Sequence, residues 1–138
     1  MPTVYIARSP SLQEWAADVG LTEHVYKVGV GEGTADEAMA ALNAGRFAGA
    51  ADWAVVISEE TAAADEAALL AKVGAKEKAV DPLFYPRLKG AAGLFKVKIK
   101  NVQSRLLVQK MMAGEDEKIT KKPKAPDIAA YLLSTAFD

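Results

Sequence analysis

Three short apolar runs, two of them followed by a helix-start signal, constrain the fold of this chain more than any other sequence feature. The runs are Thr3–Ala7, His24–Val30 and Trp53–Ile57, and each is rich in the β-branched and aromatic residues that favour strands. The capping-box pattern of a helix N-terminus occurs at 11–14 and again at 34–37. The sequence therefore predicts short strands that alternate with helices.

Further elements are predicted beyond these runs. Because Trp53–Ile57 is continuously apolar, we expect it to form a central strand that is buried on both faces. Thr61 is positioned to cap an alanine-rich helix that runs towards Lys76. From Phe95 onwards, the run Leu94–Lys100 alternates strictly between apolar residues and lysines. This alternation predicts a half-buried strand whose other face is lined by lysines.

The C-terminal part of the chain is predicted to form an arm and a terminal helix. Asn101 can cap a helix over Val102–Met112, although the run is short enough for a strand instead. The polar, lysine- and proline-containing segment 114–126 has the composition of a linker or an extended segment. Asp127 then caps a helix from Ile128 to Phe137, whose apolar residues are expected to dock on the same domain or on a neighbouring subunit.

Length and composition exclude several classes of protein. A chain of 138 residues suffices for one domain, which we place at residues 1–113, followed by a linker and docking helix at 114–138. The absence of cysteine excludes disulfides and thiolate sites, and a single histidine excludes a multi-histidine metal site. No run reaches the roughly 18 apolar residues of a membrane span. We therefore expect a cytoplasmic protein with no membrane partner.

The net charge of −1 conceals an asymmetry between the two halves of the chain. Residues 1–69 carry three basic and eleven acidic side chains, whereas residues 70–138 carry fourteen basic and seven acidic ones. Such a division can mark a nucleic-acid surface on the basic side. It can equally mark a dipolar subunit that assembles into a homo-oligomer, acidic half against basic half. The third alternative is a solvated surface with compensating charges.

Several short motifs follow the order of the predicted elements. Strand one contains Val4-Tyr5-Ile6, strand two contains Lys27-Val28-Gly29, and the next helix ends in Ala41-Leu42-Asn43-Ala44-Gly45-Arg46. A helix with Glu66 and the run Leu94–Val97 come later. Over about residues 3 to 100 this order resembles the GIY-YIG nuclease family, especially its phage-type branch, in the form in which lysine replaces the tyrosine of the second motif.

The resemblance implies an α+β fold with a small, mainly antiparallel sheet of three to four strands flanked by helices. It also implies cleavage of DNA with the help of Mg²⁺ or Mn²⁺. Tyr5 and Lys27 match the two motif positions of the family's catalytic site, and Glu66 is the best match for its metal-binding glutamate. The family's arginine would stand near Ala38, where this helix has no arginine. Arg46 is our candidate for that role from outside the helix.

Three functional hypotheses remain open on the sequence. The first is a DNA endonuclease with an incomplete catalytic set. The second is a non-catalytic nucleic-acid-binding protein on the same fold, whose binding residues would be Lys96, Lys98, Lys100, Arg105 and the segment from Lys118 to Lys124. The third is an assembly or structural protein that has reused the fold and associates through its charged halves and C-terminal helix. The resemblance to the phage-type branch implies that such a protein is phage-related or phage-associated.

Overall fold

The computed structural model describes residues 2–20, 24–62, 65–80, 93–112 and 124–137. Within them, strands and helices alternate along most of the chain, as the apolar runs predict. A single 3₁₀ turn, Phe47–Gly49, follows the second helix. The elements in chain order are β1 (Thr3–Arg8), α1 (Pro10–Asp18), β2 (Val25–Gly31), α2 (Ala35–Ala44), β3 (Ala54–Glu60), α3 (Glu66–Lys76), β4 (Lys78–Ala79), β5 (Leu94–Lys96), α4 (Ile99–Met112) and α5 (Ala125–Phe137).

The strands form one antiparallel sheet in the order β3-β1-β2-β5-β4. The predicted α+β class is confirmed, but the described sheet has five strands instead of three to four. The additional strand is β4, a two-residue segment that pairs with β5. A segment this short has no detectable period in the sequence, because alternation needs at least four residues to be recognised.

Each face of the sheet is covered by its own hydrophobic core. On one face, Val4, Ile6 and Val28 pack with apolar residues of α3, α4 and α5. On the other, Tyr5 and Ala7 pack with residues of α1, α2 and the segment that leads into β3. Adjacent residues of β1 therefore enter different cores, as the two-residue period of a strand requires.

The central strands are β1 and β2, and the prediction that Trp53–Ile57 lies at the centre is wrong. β3 lies at an edge of the sheet, and none of its residues is fully buried, although Trp53 just before it is 4% exposed. An apolar run can also occur in an edge strand whose faces are covered by helices. In β3 the helices α2 and α5 provide that cover.

The start of α3 also differs from the prediction. β3 continues to Glu60, and the helix begins at Glu66 instead of near Thr61. Its N-cap is Asp65, whose Oδ1 accepts hydrogen bonds from the amides of Ala67 and Ala68 at 3.1 and 3.4 Å. Aspartate is as good an N-cap as threonine or better, so the capping residue nearer the helical run prevails.

Lys96, Lys98 and Lys100 do not share one strand face, which corrects the prediction from their alternation. β5 ends at Lys96, Lys98 lies in the following turn, and Lys100 is already in α4. The cause is Glu77, which is 1% exposed. Its Oε2 accepts a hydrogen bond from the Lys98 amide at 3.1 Å, and its Oε1 accepts one from Asn101 Nδ2 at 2.9 Å. This distant carboxylate holds the N-terminus of α4 in place.

The terminal helix α5 packs against its own domain. Ile128, Leu132 and Ala136 are fully buried in the core that α5 shares with α3 and the sheet. Asp127 Oδ2 accepts a hydrogen bond from the Lys124 amide at 3.0 Å, near the start of the helix. The predicted linker lies almost entirely outside the described residues. No helix in the described ranges is long and apolar enough to cross a membrane.

A carboxylate also joins the start of α1 to the segment before β3. Asp52 Oδ2 accepts a hydrogen bond from the Ser11 amide at 2.9 Å, and its Oδ1 accepts from the hydroxyls of Ser11 and Ser9. Ser9 Oγ in turn accepts from the Leu12 amide at 3.1 Å, which caps the helix. Desolvation raises the pKa of Asp52, but the hydrogen bonds from Ser9 and Ser11 outweigh it, so the pKa lies below its ordinary value.

We expect Asp52→Asn to remove a pH-dependent part of the stability. Because the pKa of Asp52 is lower in the folded state, its contribution is present above the unfolded pKa of about 3.9 and is lost as pH falls through the folded value. The wild type should therefore lose its stability advantage over Asp52→Asn in acid. Urea unfolding from pH 2 to pH 6 measures this, with Glu14→Gln on exposed α1 surface as the control. An advantage that stays constant with pH would contradict the expectation.

Candidate active site

The pairing of β1 with β2 places two of the predicted catalytic residues on one face of the sheet. Tyr5 lies opposite Gly29, and Ala7 lies opposite Lys27. Directly opposed residues in an antiparallel pair point to the same side, and residues two apart on one strand do so as well. Tyr5 and Lys27 therefore share a face, with Gly29 beside the tyrosine ring.

Gly29 makes room for the Tyr5 side chain. A β-carbon at position 29 would lie 2.4 Å from the Tyr5 hydroxyl oxygen and 2.5 Å from Cζ. The Tyr5 side chain thus crosses directly over the backbone of β2, in a place where only glycine fits. The glycine of the second motif therefore has a steric role here, independent of any role in chemistry.

Lys27 is a buried cation at this site. The residue is 6% exposed, and its Nζ lies 4.4 Å from the centroid of the Phe47 ring. Burial lowers the pKa of Lys27, and the negative charge of Glu66 opposes that shift. The aromatic face and the carboxylate both favour the protonated form.

Glu66 joins the site from α3, as the first residue of the helix. Its Oε2 accepts a hydrogen bond from the Val30 amide at 3.2 Å, which ties the exposed carboxylate to the end of β2. Burial raises the pKa of Tyr5 to about 12, and the charge of Glu66 adds to this shift. Tyr5 is therefore a neutral phenol near pH 7. Sequence reasoning had selected Tyr5, Lys27 and Glu66 separately; in the structure Tyr5 and Lys27 share a face, and the charge of Glu66 acts on both.

Arg46 is not part of this group in the described structure. It is exposed, with a left-handed backbone of φ 48°, at the entry to the 3₁₀ turn that carries Phe47. No contact among the described residues joins its guanidinium to Tyr5, Lys27 or Glu66. Its neighbour Phe47 is the residue that reaches the site, through Lys27.

Ala38 lies where the family resemblance would place an arginine. A β-carbon at Gly31 would stand 3.5 Å from Ala38 Cβ, so Ala38 faces the end of β2. This strand end is also where Glu66 binds the Val30 amide. The position is therefore directed towards the site, but alanine supplies no charge or hydrogen bond to it.

The residues present fit only a sparse divalent-metal site. Among the described residues no group of three or more His, Asp or Glu side chains could hold a metal ion. Mg²⁺ usually keeps several waters and is bound by one or two carboxylates together with substrate phosphates. The exposed carboxylate of Glu66 meets that minimal requirement, and its Oε2 is already engaged with Val30.

The residues predicted to bind nucleic acid are divided among β5, α4 and the connection between them. Lys96 is half-buried in β5, between Val25 of β2 and Lys78 of β4. Lys98 and Lys100 are exposed, whereas Arg105 is half-buried in α4 and donates a hydrogen bond to Ser134 Oγ.

A separate cleft of about 530 Å³ lies between α1, β2 and the start of α5. Its lining combines Arg8 and His24 with Glu14 and Asp18. None of the predicted catalytic, metal or nucleic-acid residues lines it. The mixed charges give the cleft no preference for an anion or a cation.

Comparison with known proteins adds no relative to this picture. No protein-family model, curated protein sequence or solved structure matches the chain. The function of the chain therefore has to be inferred from its residues and their geometry.

We expect Gly29→Ala to destabilise the protein by about 1–3 kcal/mol, because the new methyl group must displace the buried Tyr5 ring. Gly33→Ala is the matched control. A β-carbon there would also come within 2.4 Å of an atom, but that atom is Oε2 of the exposed Glu37 side chain, which can move away. Urea unfolding monitored by circular dichroism compares the two. Equal losses of stability would contradict the steric role of Gly29.

Proposed function

We propose that this chain is a GIY-YIG-like DNA-processing protein that hydrolyses a phosphodiester bond at the site of Tyr5, Lys27 and Glu66. The observation that carries the proposal is that Tyr5 of β1 and Lys27 of β2 share one face and that the charge of Glu66, at the start of α3, acts on both. Two were selected from tripeptide motifs and the third from its place on a later helix. Together they supply a phenol, an amine and a carboxylate, which are groups that hydrolysis of a phosphodiester can use.

Hydrolysis of a phosphodiester requires three functions of the site. A water oxygen forms a bond to phosphorus, and the bond from phosphorus to the leaving sugar oxygen breaks. The water loses a proton, and the leaving oxygen gains one. The site must therefore position the water, stabilise negative charge on the phosphoryl oxygens and manage these protons.

Tyr5 serves as a hydrogen-bonding group in this proposal. With a pKa of about 12 its phenol keeps its proton near pH 7, so it does not act as a pre-formed phenolate base. Because the Tyr5 side chain is 5% exposed, we assign its hydroxyl the task of orienting the attacking water, without direct contact with DNA. The close packing on Gly29 fixes the ring and so keeps that hydroxyl in one place.

Lys27 and Glu66 supply the charges. Lys27 is buried, so we assign it the task of balancing and orienting the Glu66 carboxylate, without direct contact with DNA. Glu66 is exposed and would hold a divalent cation, Mg²⁺ or Mn²⁺, with one oxygen while the Val30 amide steadies the other. When bound, such a cation lowers the pKa of a coordinated water and offsets phosphate charge.

The site lacks a cation at Ala38, which favours a second candidate function. Glu32, Asp65 and Glu66 are exposed, and they lie at the end of β2 or at the start of α3. Without a cation at position 38, a phosphodiester therefore meets more negative than positive side chains there. A non-catalytic nucleic-acid-binding protein on the same fold is the alternative. The two functions differ in one observable, which is DNA cleavage that depends on both metal and Glu66.

We expect the protein to nick supercoiled plasmid slowly in Mg²⁺ or Mn²⁺ at low salt. Glu66→Gln and Tyr5→Phe should each reduce the rate by about 100-fold or more, since each removes a group that acts on the transition state. Gel electrophoresis of the plasmid, with and without EDTA, measures the rate. Glu59→Gln, an exposed position on β3, is the matched charge control and should retain the wild-type rate.

Unchanged plasmid with the wild-type protein would refute the nuclease and leave the binding function. Nicking that persists in Glu66→Gln would assign the cleavage to another site or to a contaminant.

We expect Ala38→Arg to increase the cleavage rate by about 100-fold, because it restores a cation facing the site. Ala41→Arg, on an exposed part of the same helix, adds the same charge elsewhere and should leave the rate unchanged. The comparison is made with the same plasmid assay. Equal rates for both arginine variants would show that position 38 does not act on the reaction.

A further inference from the structure

The fold places opposite charges at opposite edges of the sheet. The β3 edge carries the exposed Glu59 and Glu60. At the other edge, Lys78 of β4 lies directly opposite Lys96 of β5. The asymmetry of charge along the sequence therefore corresponds to an asymmetry of charge across the sheet, with the acidic side at β3 and the basic side at β4.

A cleft of about 420 Å³ opens on this basic side, where the end of α3 meets α4 and α5. Lys76 and Arg105 supply positive charge to its lining, and no carboxylate lines it. The polar side chains that complete it include those of Asn101, Ser104, Tyr131 and Thr135.

A buried carboxylate lies behind the cleft and is hydrogen-bonded to residues that line it. Glu77 follows Lys76 directly and is 1% exposed. Its two oxygens accept hydrogen bonds from the Lys98 amide and from Asn101 Nδ2. Glu77 therefore positions Asn101 at the cleft while presenting almost no negative surface to a ligand.

We infer that this cleft binds backbone phosphates of duplex DNA and so holds the substrate for the site at Glu66. The inference rests on the proposed function. Within the described part of the chain Arg105 donates one hydrogen bond, to Ser134, and a guanidinium has five N–H groups with which it could also bind a phosphate. Lys76 is exposed and adds a mobile charge at the rim, while Ser104 offers an exposed hydroxyl.

The distance between the two sites suits this arrangement. Lys76 and Glu66 are the last and first residues of α3, so about 15 Å of helix separates them. One DNA strand advances about 3.4 Å per nucleotide, so a strand held at the cleft reaches Glu66 four to five nucleotides away. Binding at the cleft supplies the attraction that the acidic side of the molecule cannot.

Fluorescence anisotropy of a labelled 20-base-pair duplex in EDTA tests the inference without cleavage. Lys76→Gln should weaken binding about eight-fold at 0.1 M salt and reduce the slope of log K against log salt by about 0.9, the effect of one lost phosphate contact. Arg46→Gln removes the same charge from an exposed position beside Phe47 and Ala48, which pack on the other face of the sheet, and should leave the affinity within two-fold of the wild type. Both side chains are exposed, so neither change threatens the fold.

A charge inserted at the cleft gives a second, independent comparison. Ser104→Glu should weaken binding more than Ala40→Glu, which adds the same charge at an exposed position of α2. No binding by the wild type, or equal losses within each matched pair, would overturn the inference. Selective loss in Lys76→Gln from a protein that cleaves nothing would retain the cleft and refute the nuclease. Plasmid cleavage together with equal binding losses within each matched pair would retain the nuclease and refute the binding role of the cleft.

Discussion

The register between β1 and β2 is the constraint on which the rest of the site depends. Tyr5 opposite Gly29 lets the phenol ring cross the second strand, and Ala7 opposite Lys27 brings the lysine to the same face. A slip of β2 by one residue would turn Lys27 towards the other core and leave Tyr5 where it is, because side chains alternate between the faces of a strand. The steric fit at Gly29 and the burial of both faces therefore fix the geometry of the active site and the two cores together.

The sequence was informative where a signal was local. The strand runs of β1 and β2, the start of α2 capped by Thr34 and the apolar face of α5 all depend on neighbouring residues, and the structure contains each of them. The cap of α1 is Ser9 instead of the predicted Ser11. Tyr5 and Lys27 were predicted separately from two tripeptide motifs, and the register places them on one face. Gly29 was also part of such a motif, but its steric role could be recognised only from the register that places it opposite Tyr5.

Prediction failed where a distant residue determined the local structure. The alternation after Phe95 is a genuine strand pattern, yet Glu77 binds the Lys98 amide across 21 residues of sequence and converts the second half of the run into helix. Such an override by tertiary contact is common for segments of a few residues. The prediction that β3 is a central strand was wrong for a related reason, because an apolar run does not reveal whether a further strand lies beside it.

Both sites lie on α3, and this shared helix connects the division of charge to the proposed chemistry. Glu66 begins the helix beside β2, and Lys76 ends it at the basic cleft. Opposite charges at the two ends are arranged as the helix dipole favours, with the acid at the N-terminus and the base at the C-terminus. In the proposed mechanism DNA is held at the Lys76 end of the helix, and it approaches Glu66 only if its negative charge is balanced there. Because position 38 is alanine, a bound cation has to supply that balancing charge. Binding and cleavage of DNA are therefore separable properties of one surface.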